Sequence, residues 1–111
     1  MIAEIDSDAL KARLDAAEDL LLLDIRTAAE VAQGAIPGAA ELPMHLIPLR
    51  QAELPRDKDV VLYCRSGARS YQACAYLADR GFRRVINLRG GIVAWARHGF
   101  PIATLPGHRE F

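Results

Sequence analysis

A cysteine follows a short hydrophobic segment in VVLYCRSGARS, residues 60–70. A thiol reacts as a nucleophile in its thiolate form, which neighbouring positive charges and backbone N–H groups favour. Within five residues of Cys64 the chain places two arginines and a glycine: Arg65, Gly67 and Arg69. These residue types in this order predict a nucleophilic sulfur beside a binding site for an oxyanion.

The residues after Cys64 connect a predicted strand to a predicted helix. In an open parallel α/β sheet, ligands bind beyond the carboxyl ends of the strands. A tight loop at the start of a helix points several backbone N–H groups in one direction, and a glycine permits the backbone conformation that this turn requires. We therefore predict that Cys64 is the catalytic residue and that substrate is bound by Arg65, Ser66, Gly67, Ala68, Arg69 and Ser70. Residues 64–70 are called the Cys64 loop below.

Each cysteine also has a purely structural interpretation. A single cysteine at the end of a strand is usually a small hydrophobic residue. The longer pattern Cys-x-x-Gly-x-Arg-Ser at a strand-to-helix junction favours the functional interpretation for Cys64. Cys74 shares one helical face with Ala73 and Leu77, which predicts a buried packing residue. A resolving-thiol role for Cys74 is disfavoured because ten residues of loop and helix separate it from Cys64.

The composition is that of one globular domain covering residues 1–111. Hydrophobic residues make up 51% and charged residues 25% of the chain, which is normal for a domain with a single core. The 14 Lys and Arg residues balance the 14 Asp and Glu residues, so the formal net charge is zero. This balance argues against nucleic acid as a partner, because dedicated nucleic-acid-binding proteins usually carry a basic excess.

The sequence also lacks the patterns of membrane, secreted and metal-binding proteins. No apolar run approaches the roughly 20 residues of a membrane span. The first residues, MIAEIDSDAL, are acidic and amphipathic, unlike a signal peptide. We therefore expect a cytoplasmic protein with no membrane partner. The two cysteines stand ten residues apart and His45, His98 and His108 are scattered, so no metal site is predicted.

Short hydrophobic strands alternate with helix-like segments along the chain. LLLLDIR (residues 20–26) and DVVLY (59–63) are apolar runs too short for helices, typical of strands buried on both faces of a parallel sheet. TAAE (27–30) predicts a capping box. The alternation predicts an α/β fold with a mainly parallel central sheet of about five short strands and helices on both faces. The predicted strands are 3–5, 20–26, 40–43, 59–63 and 83–88; the predicted helices are 7–16, 27–34, 44–54 (two pieces broken at Pro48), 69–80 and 90–98, with Gly99 past the end of the last helix, followed by a peripheral tail, 103–111.

Three segments, in order, resemble the signatures of the rhodanese family of sulfurtransferases. They are LLLDIRTAAEVAQGAIPGAAELP (residues 21–43), VVLYCRSGARS (60–70) and GFRRVINLRGGIVAWARHGFP (81–101). The resemblance covers nearly the whole chain. One departure is Ala35, which stands where the family often has histidine. It changes local packing and removes a hydrogen bond but does not touch the predicted nucleophile.

The resemblance implies a rhodanese-like fold and a sulfur transfer that needs no cofactor. The thiolate of Cys64 would attack the outer sulfur of a small anionic donor such as thiosulfate, release sulfite and keep the sulfur as a persulfide. The acceptor would be cyanide in the test tube and a thiol or a protein in the cell. Asp24 and Arg26 match the first signature. They support the loop from behind or form a structural ion pair, and the sequence leaves both interpretations open.

Two other functions use similar residues. A cysteine phosphatase or arsenate reductase also combines a thiolate with oxyanion donors, but its Cys-x5-Arg signature would place an arginine at position 70, where this chain has Ser70. The shorter Cys64 loop suits a single terminal sulfur better than a tetrahedral phosphate. A persulfide carrier or binding module serving a protein partner would retain Cys64 and yet use thiosulfate poorly.

Overall fold

A five-stranded sheet flanked by helices forms the centre of the computed structural model, which describes residues 1–104 and 109–111. The strands are all parallel and lie in the order β1-β5-β4-β2-β3. The predicted α/β fold is confirmed. The strands are β1 Ala3–Ile5, β2 Leu20–Asp24, β3 Ala40–Glu41, β4 Asp59–Tyr63 and β5 Val85–Leu88; the helices are α1 Ser7–Asp15, α2 Ala28–Ala32, α3 Ile47–Arg50, α4 Ala68–Asp79 and α5 Gly91–Arg97.

The two apolar strands β2 and β4 lie side by side in the middle of the sheet. They pair in register from Leu20 opposite Asp59 to Asp24 opposite Tyr63. The last four residues of each strand are buried, as expected for strands covered on both faces. This register brings Asp24 and Tyr63 together at the carboxyl edge of the sheet, directly beside Cys64.

Side chains alternate between the two faces of the sheet and build two separate apolar clusters. One cluster packs Leu23 and Leu62 with Leu77 of α4, and the other packs Leu22 and Val61 with residues of α1 and α5. Because α4 follows β4 and α5 follows β5, both helices begin at the carboxyl edge of the sheet. The Cys64 loop therefore lies where the starts of two helices meet.

Helix α4 fixes the far side of the Cys64 loop. Its buried face consists of Ser70, Ala73, Cys74 and Leu77, the spacing of an amphipathic helix packed on a sheet. At 12 residues it is the longest helix among residues 1–104 and 109–111, and no helix in these ranges is long and apolar enough to cross a membrane.

The segment from Met44 to Glu53 is more broken than the sequence predicts. It forms a 3-10 turn at Met44–Leu46, the short helix α3 and a second 3-10 turn at Gln51–Glu53. The predicted break at Pro48 is wrong, because Pro48 lies in the first turn of α3, where its missing N–H leaves no helical hydrogen bond unmade.

The end of the chain is not simply peripheral. Ala103 and Ala35 exchange two backbone hydrogen bonds of 2.8 Å. Further along, Glu41 of β3 donates to the carbonyl of Arg109 and accepts from the amide of Phe111. These contacts cover the outer edge of β3 and correct the peripheral assignment for the described part of the tail. The remainder of that prediction, residues 105–108 including His108, lies outside the described residues.

Candidate active site

Cys64 is placed by the end of β4 and by the backbone of α5. The carbonyls of Cys64 and Arg65 accept hydrogen bonds from the amides of Ile92 and Val93, at 3.0 and 3.1 Å. Gly91 makes this approach possible, because a Cβ at this residue would lie 2.4 Å from the Arg65 carbonyl oxygen. With its first carbonyls held by α5, the loop is free to turn its amides toward the sulfur.

The sulfur of Cys64 lies inside the curl of its loop and accepts hydrogen bonds. The amide of Gly67 is 3.1 Å from Sγ, and the hydroxyl of Ser70 is 3.4 Å from it. Gly67 adopts the left-handed conformation, with φ of +99°, which a residue with a Cβ adopts only at a cost. Burial works to raise the pKa of Cys64, but the Ser70 hydroxyl and the amides of Ser70, Gly67 and Ser66 outweigh it and lower the pKa from its ordinary value.

A buried hydrogen-bond chain extends from the sulfur to β5. Ser70 Oγ donates to Oδ1 of Asn87, while Nδ2 of Asn87 donates to the Gly67 carbonyl at 3.2 Å and to Glu4 at 2.9 Å. A serine hydroxyl carries a single proton. Ser70 can therefore donate to Asn87 or to Sγ, and it serves the thiolate when its proton turns toward the sulfur. Asn87 thus ties the loop backbone and the hydroxyl to one side chain.

The two arginines of the loop have different surroundings. Arg65 is exposed at the surface. Arg69 pairs with Glu30 through two parallel hydrogen bonds of 2.9 Å, Nη1 to Oε1 and Nη2 to Oε2. The guanidinium of Arg69, helped by the backbone and hydroxyl of Thr27 and opposed by burial, holds the pKa of Glu30 at about 2. Glu30 closes the predicted capping box of α2 with Thr27.

Asp24 and Arg26 form a buried ion pair behind the loop. Arg26 Nη2 lies 2.7 Å from Asp24 Oδ2 and 2.6 Å from the Gly34 carbonyl. The Tyr63 hydroxyl donates to the same carboxylate at 2.7 Å and accepts from the amide of Ile36 at 3.1 Å. Burial, followed by the Asp24 charge, raises the pKa of Tyr63 far above its usual value. These contacts anchor residues 34–36, and they reach Cys64 only through its neighbour Tyr63.

Position 35, where the chain departs from the family pattern, lies in the interior. Ala35 is fully buried, and its backbone pairs with Ala103.

The second cysteine occupies a core position, where it has no side-chain hydrogen bond to any residue that the structure describes. Cys74 is buried in the same apolar cluster as Cys64, and neither forms a disulfide. Burial, together with the charge of Glu4, raises the pKa of Cys74 to about 12. The prediction that Cys74 packs in the core is confirmed by this location.

Three residues with clear contacts around the site were not predicted as site residues: Glu30, Tyr63 and Asn87. Asn87 carried a signal, since it is a polar residue within the apolar strand sequence VINL. The partners of Glu30 and Tyr63 depend on β2 lying beside β4. In residues 1–104 and 109–111, no group of three or more His, Cys, Asp or Glu side chains could hold a metal ion.

The fold and the site define an α/β protein with a buried cysteine of lowered pKa in an amide-lined loop at the carboxyl edge of a parallel sheet. The rhodanese-like domain family matches residues 6–98. The chain belongs to this family.

This chain is similar to known proteins both in sequence and in structure. The chain is 66% identical over 107 residues to a sulfurtransferase of Allochromatium vinosum, covering 96% of this chain and 100% of the relative. It is 46% identical over 94 residues to the putative sulfurtransferase YtwF of Bacillus subtilis, covering 85% and 90%. The crystal structure of a rhodanese-related protein from Thermoplasma volcanium superposes with a TM-score of 0.84 at 26% identity, covering 93% and 99%. These relatives support sulfurtransferase activity.

Proposed function

We propose that this chain is a sulfurtransferase that carries the transferred sulfur as a persulfide on Cys64. The observation that carries the proposal is the environment of Sγ. The sulfur is buried, yet it faces the Gly67 amide and the Ser70 hydroxyl, which lower its pKa. A sulfur with donors around it is ready both to attack and to hold a negatively charged product.

The reaction consists of two displacements at sulfur. With thiosulfate as donor, the Cys64 thiolate attacks the outer sulfur, a new S–S bond forms, and sulfite leaves with the electron pair of the broken S–S bond. An acceptor nucleophile, cyanide or a thiolate, then attacks the outer sulfur of the persulfide, and Cys64 leaves as thiolate. The oxidising equivalent travels with the transferred sulfur in both steps, so no separate oxidant, reductant or cofactor is required.

The loop residues have separate roles in this proposal. The amides from Arg65 to Ser70, including those of Ser66 and Ala68, stabilise the anionic persulfide, and the Ser70 hydroxyl contributes when it turns from Asn87. Arg65 attracts the charged donor, and Arg69 lies in the same substrate loop with its charge paired to Glu30. Asp24 and Arg26 act at a distance, by fixing Tyr63 and hence the strand end that holds Cys64.

The phosphatase alternative has less support from this geometry. A phosphatase loop needs an arginine at position 70 to bind the phosphate oxygens, but Ser70 is buried there and hydrogen-bonded to Asn87. Arg69 is already paired with Glu30.

The proposal is tested by measuring thiocyanate produced from thiosulfate and cyanide. Cys64→Ser should reduce transfer to the background rate, because serine is not a nucleophile toward sulfane sulfur under these conditions. Cys74→Ser is the matched control, with the same atoms exchanged ten residues along the chain. Circular dichroism establishes that both variants are folded. A folded Cys64→Ser protein with wild-type transfer rates would refute the proposal.

A further inference from the structure

One of the two cationic side chains of the Cys64 loop is neutralised by the protein itself. Arg69 is the second residue of α4, and its partner Glu30 belongs to α2, 39 residues earlier. The two hydrogen bonds run side by side at 2.9 Å, the bidentate geometry that makes arginine–carboxylate pairs strong.

Glu30 is also held in place from its own helix. Its Oε1 accepts from the Thr27 amide at 3.1 Å and from the Thr27 hydroxyl at 3.2 Å, while its own amide donates to that hydroxyl at 3.3 Å. The carboxylate is thus fixed before any donor arrives, so the entropy of ordering it does not oppose the pair with Arg69.

The charge beside the nucleophile is consequently smaller than the sequence suggests. CRSGARS places two positive charges after Cys64, but only Arg65 presents a charge without this bidentate partner. A donor that needs Arg69 must compete with Glu30 or bind beside its carboxylate. This penalty increases with the negative charge of the donor.

Building on the proposed function, we propose that Glu30 is a specificity-determining residue. By neutralising Arg69, it disfavours dianionic donors such as thiosulfate and shifts the preference toward organic persulfides, R–S–SH, which carry at most one negative charge. Glu30 acts through Arg69 and does not touch the reacting atoms.

An organic persulfide fits the same displacement chemistry. The Cys64 thiolate attacks the outer sulfur of R–S–SH, the S–S bond of the donor breaks, and R–S⁻ leaves with the bonding electron pair. The proton of the donor stays on the new Cys64 persulfide or passes to solvent. The thiolate and the donor together carry one negative charge when the persulfide is protonated and two when it is ionised, whereas thiosulfate brings the total to three.

Glu30→Gln tests the inference without removing the helix cap, because glutamine also serves at the third position of a capping box. We expect kcat/KM for thiosulfate to rise about fivefold at low salt, mainly through KM, a size typical of partly exposed charge pairs. The rise should shrink at high salt, and rates with an alkyl persulfide, which carries at most one negative charge, should stay within about twofold of wild type. Unchanged thiosulfate kinetics would overturn the inference.

The matched control is Glu18→Gln. Glu18 pairs with Arg13 at 2.8 Å, and Arg13 also binds Asp59 at the amino end of β4, the opposite edge of the sheet. This variant changes the net charge of the protein by the same amount. A similar gain with thiosulfate in Glu18→Gln would assign the effect to overall charge and overturn the inference.

A second readout does not depend on sulfur transfer. The rate of Cys64 alkylation by anionic iodoacetate is divided by the rate with neutral iodoacetamide, so any change in thiolate pKa cancels. The ratio should rise in Glu30→Gln and return to the wild-type value in the double variant Glu30→Gln/Arg69→Gln. A ratio unaffected by Glu30→Gln would overturn the inference, whether or not the proposed persulfide forms.

Discussion

The two cysteines of this chain are equally buried, but their pKa values are shifted in opposite directions. Cys64 and Cys74 are 1% and 0% exposed and belong to the same apolar cluster. Yet the pKa of Cys74 is raised to about 12 by burial, while that of Cys64 is lowered. The difference lies in the N–H and O–H donors of the Cys64 loop. Burial raises the pKa of a thiol in the middle of a helix. The same effect of burial is outweighed where a loop turns its amides toward the sulfur and stabilises the thiolate.

The geometry of the Cys64 loop, and not burial of the cysteine, therefore determines the direction of the pKa shift. That geometry depends on backbone contacts from α5 as much as on residues 64–70 themselves. Substitutions at these contacts should reduce the difference in reactivity between the two sulfurs by different amounts.

The largest effect is expected from Gly91→Ala. A Cβ at residue 91 would lie 2.4 Å from the Arg65 carbonyl oxygen and 2.5 Å from that of Cys64. The loop must move away, and misplacement on the order of 1 Å at a reacting group costs about a hundredfold in rate. Sulfur transfer should therefore fall by about a hundredfold.

Gly99→Ala separates this clash from backbone strain. Gly99 also has positive φ, +75° compared with +58° at Gly91, but a Cβ there meets no atom within 4 Å in the described residues. We expect a stability loss of about 1–2 kcal/mol and near-normal activity. Equal losses of sulfur-transfer activity in both variants would show that backbone strain at these two glycines, and not displacement of the Cys64 loop, controls the site.

A smaller effect is expected from Ser70→Ala, which removes the hydroxyl 3.4 Å from Sγ. Loss of a donor to the thiolate should raise the pKa of Cys64. The thiolate fraction at neutral pH falls, so alkylation by iodoacetamide slows there by roughly fivefold, about the contribution of one hydrogen bond, and recovers at high pH. A pH profile identical to that of the wild type would show that the amides alone lower the pKa.

The smallest effect on activity is expected from Cys74→Ala. Removing one buried sulfur leaves a small cavity and should lower the free energy of unfolding by about 1 kcal/mol. Urea titrations of the variant and the wild type measure this difference. The rate of sulfur transfer should not change. A folded Cys74→Ala protein without activity would place Cys74 in the reaction as a resolving thiol and break the comparison.

The sequence predicts best where local patterns determine structure. β4 forms at Asp59–Tyr63 as its apolar run indicates, and the capping box of Thr27 and Glu30 forms as its spacing indicates. α4 begins one residue earlier than predicted, at Ala68. The segment around Pro48 was harder, because short helical turns differ little in local preference and tertiary packing decides where each ends.

The contacts around Cys64 could not be predicted from local sequence patterns. Arg69 was expected at the substrate, and its pairing with Glu30 depends on α2 and α4 meeting at the carboxyl edge. The role of Asn87 depends on β5 lying next to β4. Both pairings join residues far apart in the chain, so they follow from strand order rather than from sequence spacing.

The intact mass of the reduced protein before and after exposure to a sulfur donor tests the central claim most directly. Thiosulfate and an alkyl persulfide are used in parallel, with Cys64→Ser and Cys74→Ala alongside the wild type. The account predicts a gain of one sulfur atom in the wild type and in Cys74→Ala, reversed by cyanide and absent in Cys64→Ser. No gain with either donor, or an equal gain in Cys64→Ser, would contradict it.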